Sequence, residues 1–233
     1  MESPVSETDR IARAYRDLEA RAGSRWNLAN RGNQAILAER RSLTRRVLDE
    51  AGWIPIGTRR ILEVGSGGGS ELAWLRELGA EPSRLVGVDL LEDRVASAKT
   101  TYPDLEFRQG NAEHLDFPDG TFDLVMALTV FSSIFDRTMA ANIAAEIIRV
   151  LRPGGGLLWY DVRYDSNSNR NVHAMRAETV TALFAPLDGR LRTVTLLPPL
   201  ARRLGPLTGG AYPALARMPT LRSHLLGLLR KAE

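Results

Sequence analysis

The chain has 233 residues, 44% hydrophobic and 25% charged, with a net charge of +3. This length and usage suit one sizeable globular core and exclude both a disordered polymer and two independent domains joined by a linker. There is no cysteine, which removes disulfides, thiolate catalysis and zinc–thiolate centres, and the three histidines, His114, His173 and His224, lack metal-ligand spacing. No metal is therefore expected. No apolar run approaches the roughly 18 residues that a membrane span needs. The acidic, polar start, Glu2 to Asp9, is the opposite of a secretory signal. A cytoplasmic protein without a transmembrane segment is the expectation. Basicity is uneven: eight Arg or Lys residues fall between Arg190 and Lys231, with no acid until Glu233. Such a tail fits anionic substrates, a membrane surface or nucleic acid, and equally a plain solvated face.

In chain order, Ser6 and Asp9 form a capping box, after which Ile11, Tyr15, Leu18 and Ala22 recur at helical spacing. Asn33 is placed to cap a second helix carrying Ile36, Leu43, Val47 and Ala51 on one face, with Gly52 ending it. Residues 1–58 thus read as an N-terminal helical cap on a domain spanning 59–233. From Arg60 the period changes. A short apolar strand, 60–65, leads through a glycine-rich turn into a helix, 70–78. The buried run Leu85 to Val88 leads into a helix over 92–101, and strands follow at 105–109 and 122–127. Asp136 caps a helix over 137–151, stopped by Pro153-Gly154-Gly155, and a strand occupies 156–162. Strands alternating with helices predict an α/β fold: a Rossmann-like, doubly wound, mostly parallel sheet of seven strands. A helix over 176–184 and a strand over 190–197 follow, and Ser223 to Leu229 reads as an inserted last strand. The basic, Pro/Gly-punctuated segment 198–220 reads as an insertion on the substrate side.

The turn Glu63-Val64-Gly65-Ser66-Gly67-Gly68-Gly69-Ser70 lies where the first strand meets its helix. Glycine there permits a tight turn and a close backbone approach to a ligand. The dinucleotide pattern GxGxxG fails in either register, and a Walker A lysine is missing, which argues against nicotinamide and P-loop sites. Asp89 ends the second strand, 26 positions after Glu63, near the separation at which an acid reaches a ribose diol. Its bland alternative is a cap for the helix over 92–101.

The motifs ILEVGSGGG, VGVDLLEDRVASAK, FRQGNAEHLDFPDGTFDLVMALTVF and EIIRVLRPGGGLLW, in this order, resemble those of the class I S-adenosylmethionine-dependent methyltransferases. The likeness is strong over residues 60–160 and weaker in the flanks. It implies S-adenosylmethionine as cofactor and S-adenosylhomocysteine as product. It places Glu63, Gly65, Ser66 and Gly67 beside the methionine moiety, Asp89 on the ribose, and Leu90 with its neighbour Arg94 against the adenine face. Asn111, Ala112 and Glu113 would meet the adenine edge, with Asn111 standing where many members carry Asp. Leu128 to Ser133, including Phe131, would lie under the sulfonium. The N-terminal helices resemble a lid, with Tyr15, Arg25 and Trp26 reaching the cofactor.

Methyl transfer is an in-line displacement on an activated carbon, so orientation and exclusion of water carry most of the catalysis, and a base is needed only for a protonated acceptor. The acceptor must lie beyond the carboxyl ends of the strands. That nominates Ser132, Ser133 and Asp136, together with Tyr160, Asp161 and Arg163 and the loop through Asn169 and His173. Asp161 and His173 are the candidate bases. The segment from Trp159 to Met175 and the C-terminal stretch are similar to a bacterial subgroup tied to glycan and natural-product biosynthesis. This implies a small-molecule acceptor, sugar-bearing or lipid-linked, with peripheral membrane contact by 198–220. Three alternatives stand beside it: a non-methylating enzyme on the same fold, a non-catalytic module that senses S-adenosylmethionine, and an RNA-directed methyltransferase. Against the last, the NPPY-type motif and an appended RNA-binding domain are missing, and aromatics are only 6%.

Overall fold

A computed structural model describes residues 6–21, 27–165 and 169–233. Its sheet is built on three short apolar strands, β1 (Ile61–Val64), β2 (Leu85–Asp89) and β4 (Phe122–Leu128), buried on both faces as parallel strands flanked by helices must be. β3 (Glu106–Gln109) lies at one edge, and β5 (Leu151–Val162) pairs with β4. The strand order is β3-β2-β1-β4-β5-β8-β6, with β1 to β5 parallel and β8 (Arg222–Lys231) antiparallel between β5 and the far edge. That edge is shared by β6 (Leu187–Gly189) and β7 (Arg192–Leu196), which pair with successive parts of β8. Eight strands therefore fill seven positions, in a mostly parallel, Rossmann-like α/β sheet.

The helices explain themselves locally. α1 (Glu7–Arg21) opens with the expected box: the Asp9 amide donates to Ser6 Oγ at 3.1 Å, and Ser6 Oγ donates to the Asp9 carboxylate at 2.8 Å. α2 (Arg31–Glu50) begins earlier than the spacing predicts. Its cap is Asn30, which accepts from the amides of Gly32 and Asn33, whereas Asn33 is buried inside the first turn. The helix after the glycine turn, α3 (Ser70–Trp74), tightens into a 3-10 turn over Leu75–Leu78. α4 (Glu92–Thr101) is as expected. α5 (Arg137–Val150) is capped by Asp136 and buries Met139, Ile143, Ile147 and Val150 against the sheet. Pro153-Gly154-Gly155 falls inside β5, at an irregularity in its pairing with β4. α6 (Ala177–Leu183) precedes β6.

Segment 198–220 is helical rather than loop-like. α7 (Pro198–Arg203), with proline in its first turn, and α8 (Thr208–Ala216) flank a short 3-10 turn. Leu196, Ala201 and Tyr212 pack with Ile36 of α2 in a satellite core of their own. None of the described helices is long and apolar enough to cross a membrane.

Candidate active site

The glycine turn lies at the carboxyl end of β1. Gly65 (φ +70°) and Gly67 (φ +50°) hold left-handed conformations, and a Cβ on Gly65 would stand 2.6 Å from Val130 Cγ2. Asp89, buried at the end of β2, ties the turn to the next loop: one carboxylate oxygen accepts from the Gly67 amide at 2.7 Å, the other from Leu91 at 2.9 Å. Beside the turn, Glu63 of β1 is buried, and among the described residues neither its Oε2 nor the Ser66 hydroxyl has a partner. Burial, then the nearby carboxylates of Glu71 and Asp89, push the Glu63 carboxyl well above its ordinary range, while Arg40 pulls the other way.

Two cavities open beyond this edge of the sheet. The smaller, about 190 Å³, is lined by Gly65, Asp89, Leu90, Arg94, Asn111, Ala112 and Leu128, among others. The larger, about 560 Å³, runs under α1 and α2 toward β8 and α7, past Ile36, Arg40, Tyr160, Val162, Leu197 and His224. Ile11, Tyr15, Arg94, Thr129 and Ser133 line both, so the two meet along one wall. At that junction Thr129 has φ +58°, an unusual conformation for a β-branched residue, held by donation from its amide to the Tyr160 carbonyl at 2.7 Å.

α1 forms the roof, clamped to the segment after β4. Arg10 pairs with Glu7 at 2.7 Å and donates to the Ser133 carbonyl, while Glu7 accepts from the amides of Phe135 and Asp136. The Arg10 guanidinium bond, then those backbone donors, hold the Glu7 carboxyl below its usual range against its partial burial. The Tyr15 hydroxyl meets Ser133 Oγ at 3.0 Å, and the Arg94 guanidinium lies 4.4 Å from the Tyr15 ring centre. Desolvation raises the pKa of this phenol.

Most of the expected cofactor positions thus gather around the smaller cavity. Five of the described ones do not line it: Glu63, Ser66, Gly67, Glu113 and Phe131. Ser66 and Gly67 belong to the turn behind, and Glu113 braces Asn111 and Asn142 through its two carboxylate oxygens, each at 2.9 Å. Phe131 points into the core, in ring contact with Trp159 and Phe184. Arg25 and Trp26 lie outside the described residues.

The four candidate catalytic residues separate. Tyr160 lines the larger cavity, its hydroxyl 3.0 Å from Thr195 Oγ1, and burial pushes its phenol up to about 12. Asp161 faces the other way, as the next residue of a strand does. Its oxygens accept from the amides of Ser132 (3.0 Å) and Val162 (2.8 Å), and burial, opposed by these bonds, raises its carboxyl to about 6. His173 uses Nε2–H on the carbonyls of Phe131 and Ile134, at 3.2 and 2.8 Å, pinning the turn that carries Ser132. Arg163 donates to the Arg222 carbonyl at 3.2 Å and stacks on Tyr164. Neither Asp161, His173 nor Arg163 lines a described cavity.

His224 is the wall residue that the sequence reading left without a role. It sits on β8 opposite Val162 of β5, stacked on Tyr160 with ring centres 4.6 Å apart. Burial, with Arg40 adding to it, lowers its pKa to about 3, so the imidazole is neutral.

Residues 62–159 match the family described as "Methyltransferase domain". The match covers less than half of the chain. The chain is 30% identical over 139 residues to the phthiotriol/phenolphthiotriol dimycocerosates methyltransferase of Mycobacterium tuberculosis (strain H37Rv), covering 59% of this chain and 48% of that protein. It is 36% identical over 107 residues to a fatty-acid O-methyltransferase of Mycolicibacterium smegmatis, covering 45% and 38%. The matched stretches therefore span less than half the length of these relatives. Among solved structures, an S-adenosylmethionine-dependent methyltransferase from Mesorhizobium loti superposes with a TM-score of 0.59 at 19% identity, covering 78% of this chain and 95% of that one. The [4+2]-cyclase SpnF gives 0.60 at 21% identity, covering 82% and 80%. Both are likenesses of fold.

Proposed function

We propose that this chain transfers a methyl group from S-adenosylmethionine to a small-molecule acceptor, at a hydroxyl of a sugar-bearing or lipid-linked biosynthetic metabolite, in the cytoplasm. The observation that carries the reading is the pair of cavities meeting at Tyr15, Thr129 and Ser133, one beside the glycine turn and one large enough for a second molecule. The apolar share of the larger cavity, through Ile11, Ile36, Val162, Val172 and Leu197, suits an aliphatic or aromatic body. The methyltransferases named above, acting on mycobacterial lipids and on fatty acids, support the same class of acceptor.

The residues present fit the cofactor. An ammonium group at the turn would offset the effect of the Glu71 and Asp89 carboxylates on Glu63, and among the described residues Glu63 Oε2 and Ser66 Oγ are buried atoms without partners. Gly65, Ser66 and Gly67 would hold the amino-acid end, Asp89 the ribose hydroxyls, and Leu90, Arg94, Asn111 and Ala112 the adenine. When bound, S-adenosylmethionine supplies a methyl on a sulfonium, an electrophile that needs no further activation. The protein's part is to orient and to exclude water. α1, pinned through Glu7, Arg10 and Tyr15, covers the junction, and the strained Thr129 fixes the wall between the cavities. Asp161 and His173 act here as positioning residues, since both hold the turn that carries Ser132 rather than facing a cavity.

Calorimetric titration with S-adenosylmethionine and S-adenosylhomocysteine tests the reading. Micromolar binding that collapses in Asp89→Ala is expected. Absence of binding by either compound would overturn it.

A further inference from the structure

The back wall of the larger cavity carries a hydrogen-bond acceptor whose direction is set by its neighbours. Ser223 Oγ lies 3.1 Å from the Thr195 carbonyl and 2.8 Å from His224 Nδ1. The carbonyl can only accept, so the serine proton is committed to it. Ser223 Oγ must then accept from the imidazole, and His224 carries its proton on Nδ1. That leaves a lone pair on Nε2. Among the described residues no group donates to that nitrogen, although the residue is only 5% exposed and lines the cavity. The stacked Tyr160 ring, at an interplanar angle of 11°, holds the plane of the imidazole, and the Ser223 bond to Nδ1 sets which edge faces the cavity.

A lone pair at a cavity wall takes its donor from water until a ligand arrives, and a ligand that displaces the water without donating loses that bond. A carboxylate or phosphate dianion has no proton to give and would face the lone pair unfavourably. A hydroxyl satisfies it.

We propose that His224 is a specificity-determining residue: its Nε2 accepts a hydrogen bond from a hydroxyl on the acceptor molecule, selecting hydroxylated ligands over their ethers. This rests on reading the larger cavity as the acceptor site. The apolar surroundings, Val162, Leu197 and Pro198, receive the carbon skeleton that carries the hydroxyl.

The experiment pairs two probes of one skeleton, 2-naphthol and 2-methoxynaphthalene, with the intact protein and with His224→Phe, which keeps an aromatic ring against Tyr160 but has no lone pair. Binding is measured by calorimetry. Nitrogen-15 spectra of histidine-labelled protein are recorded in parallel, where only three imidazoles contribute. The wild type should prefer the naphthol by roughly three- to tenfold, the worth of one neutral hydrogen bond. His224→Phe should abolish that preference while binding the ether as before. The Nε2 resonance should be that of an unprotonated nitrogen and should shift with naphthol alone. Equal affinity for the probes, no binding of naphthol, or a proton on Nε2 would each overturn the proposal. Titration of the same samples with S-adenosylmethionine keeps the two readings apart. Loss of cofactor binding strikes the methyltransferase reading, whereas loss of the naphthol preference strikes only His224.

Discussion

Asp161 offers a sharp test of how burial and hydrogen bonding compete in this site. Its carboxyl rises from an ordinary 3.8 to about 6 because burial outweighs the donors from Ser132 and Val162, with the charge of His173 a further opposing influence. A shift of about two units corresponds to about 3 kcal/mol between the protonation states. The sign follows from proton counting. Between pH 4 and pH 6 the folded protein keeps this proton while the unfolded chain has lost it, so stability falls as pH rises through that window and is level above it. Asp161→Asn removes the titration. Its amide nitrogen must now face one of two backbone N–H groups, so the variant also carries a pH-independent penalty. The informative quantity is therefore the difference in unfolding free energy, wild type minus variant, followed across pH. It should fall by about 2 kcal/mol between pH 4 and pH 7, other titrating groups cancelling in the subtraction. Urea unfolding monitored by tryptophan fluorescence at half-unit steps measures it. A flat difference would refute the dominance of burial. A rising one would mean that the backbone donors win and the carboxyl is depressed.

Two further substitutions probe the frame of the site. Gly65→Ala forces an alanine into φ +70° and sets its Cβ 2.6 Å from Val130 Cγ2. A stability loss of about 1–2 kcal/mol from the backbone alone is expected, with at least about a tenfold weaker grip on S-adenosylmethionine, equivalent to about 1.4 kcal/mol. Adding Val130→Ala should recover part of both, and wild-type affinity in the single variant would refute the close-approach argument. Asp136→Ala removes the side-chain acceptor for Thr138 and Met139 at the start of α5. It should cost about 1 kcal/mol and lower the melting temperature by about 2–4 °C in a thermal scan, and an unchanged midpoint would show that the cap contributes nothing.

What could be read from the chain depended on whether the signal was local. Ile61–Val64, Leu85–Val88 and Phe122–Leu128 are mostly apolar runs, interrupted by Glu63 and Asp123, because helices cover both faces of their strands, and Asp136 announces α5 by side-chain chemistry alone. The glycine turn and Asp89 are likewise carried by neighbours in sequence. The segment 198–220 was legible as an insertion before the last strand but not as helices, because these rest on packing against α2 rather than on propensity: α8 even holds Pro213 within it. The start of α2 was displaced because Asn30 and Asn33 are both capable caps, and burial of Asn33 decided between them.

The catalytic candidates failed to gather for a different reason. Asp161 drew attention as a carboxylate at the end of β5, yet a strand alternates, and Tyr160 and Val162 face the cavity while the residue between them faces the opposite layer. That alternation was available from the sequence and points away from Asp161. His224 was hidden in an apolar run, Ser223 to Leu229, where one histidine reads as core. Only the antiparallel register, which sets His224 against Val162 and Val194, brings its ring to the cavity wall. Long-range pairing of β8 with β5 and β7 thus decides which polar side chain the acceptor meets. A polar residue inside an inserted antiparallel strand, near its first residue, is where such a sheet can place recognition chemistry without disturbing the glycine turn three strands away.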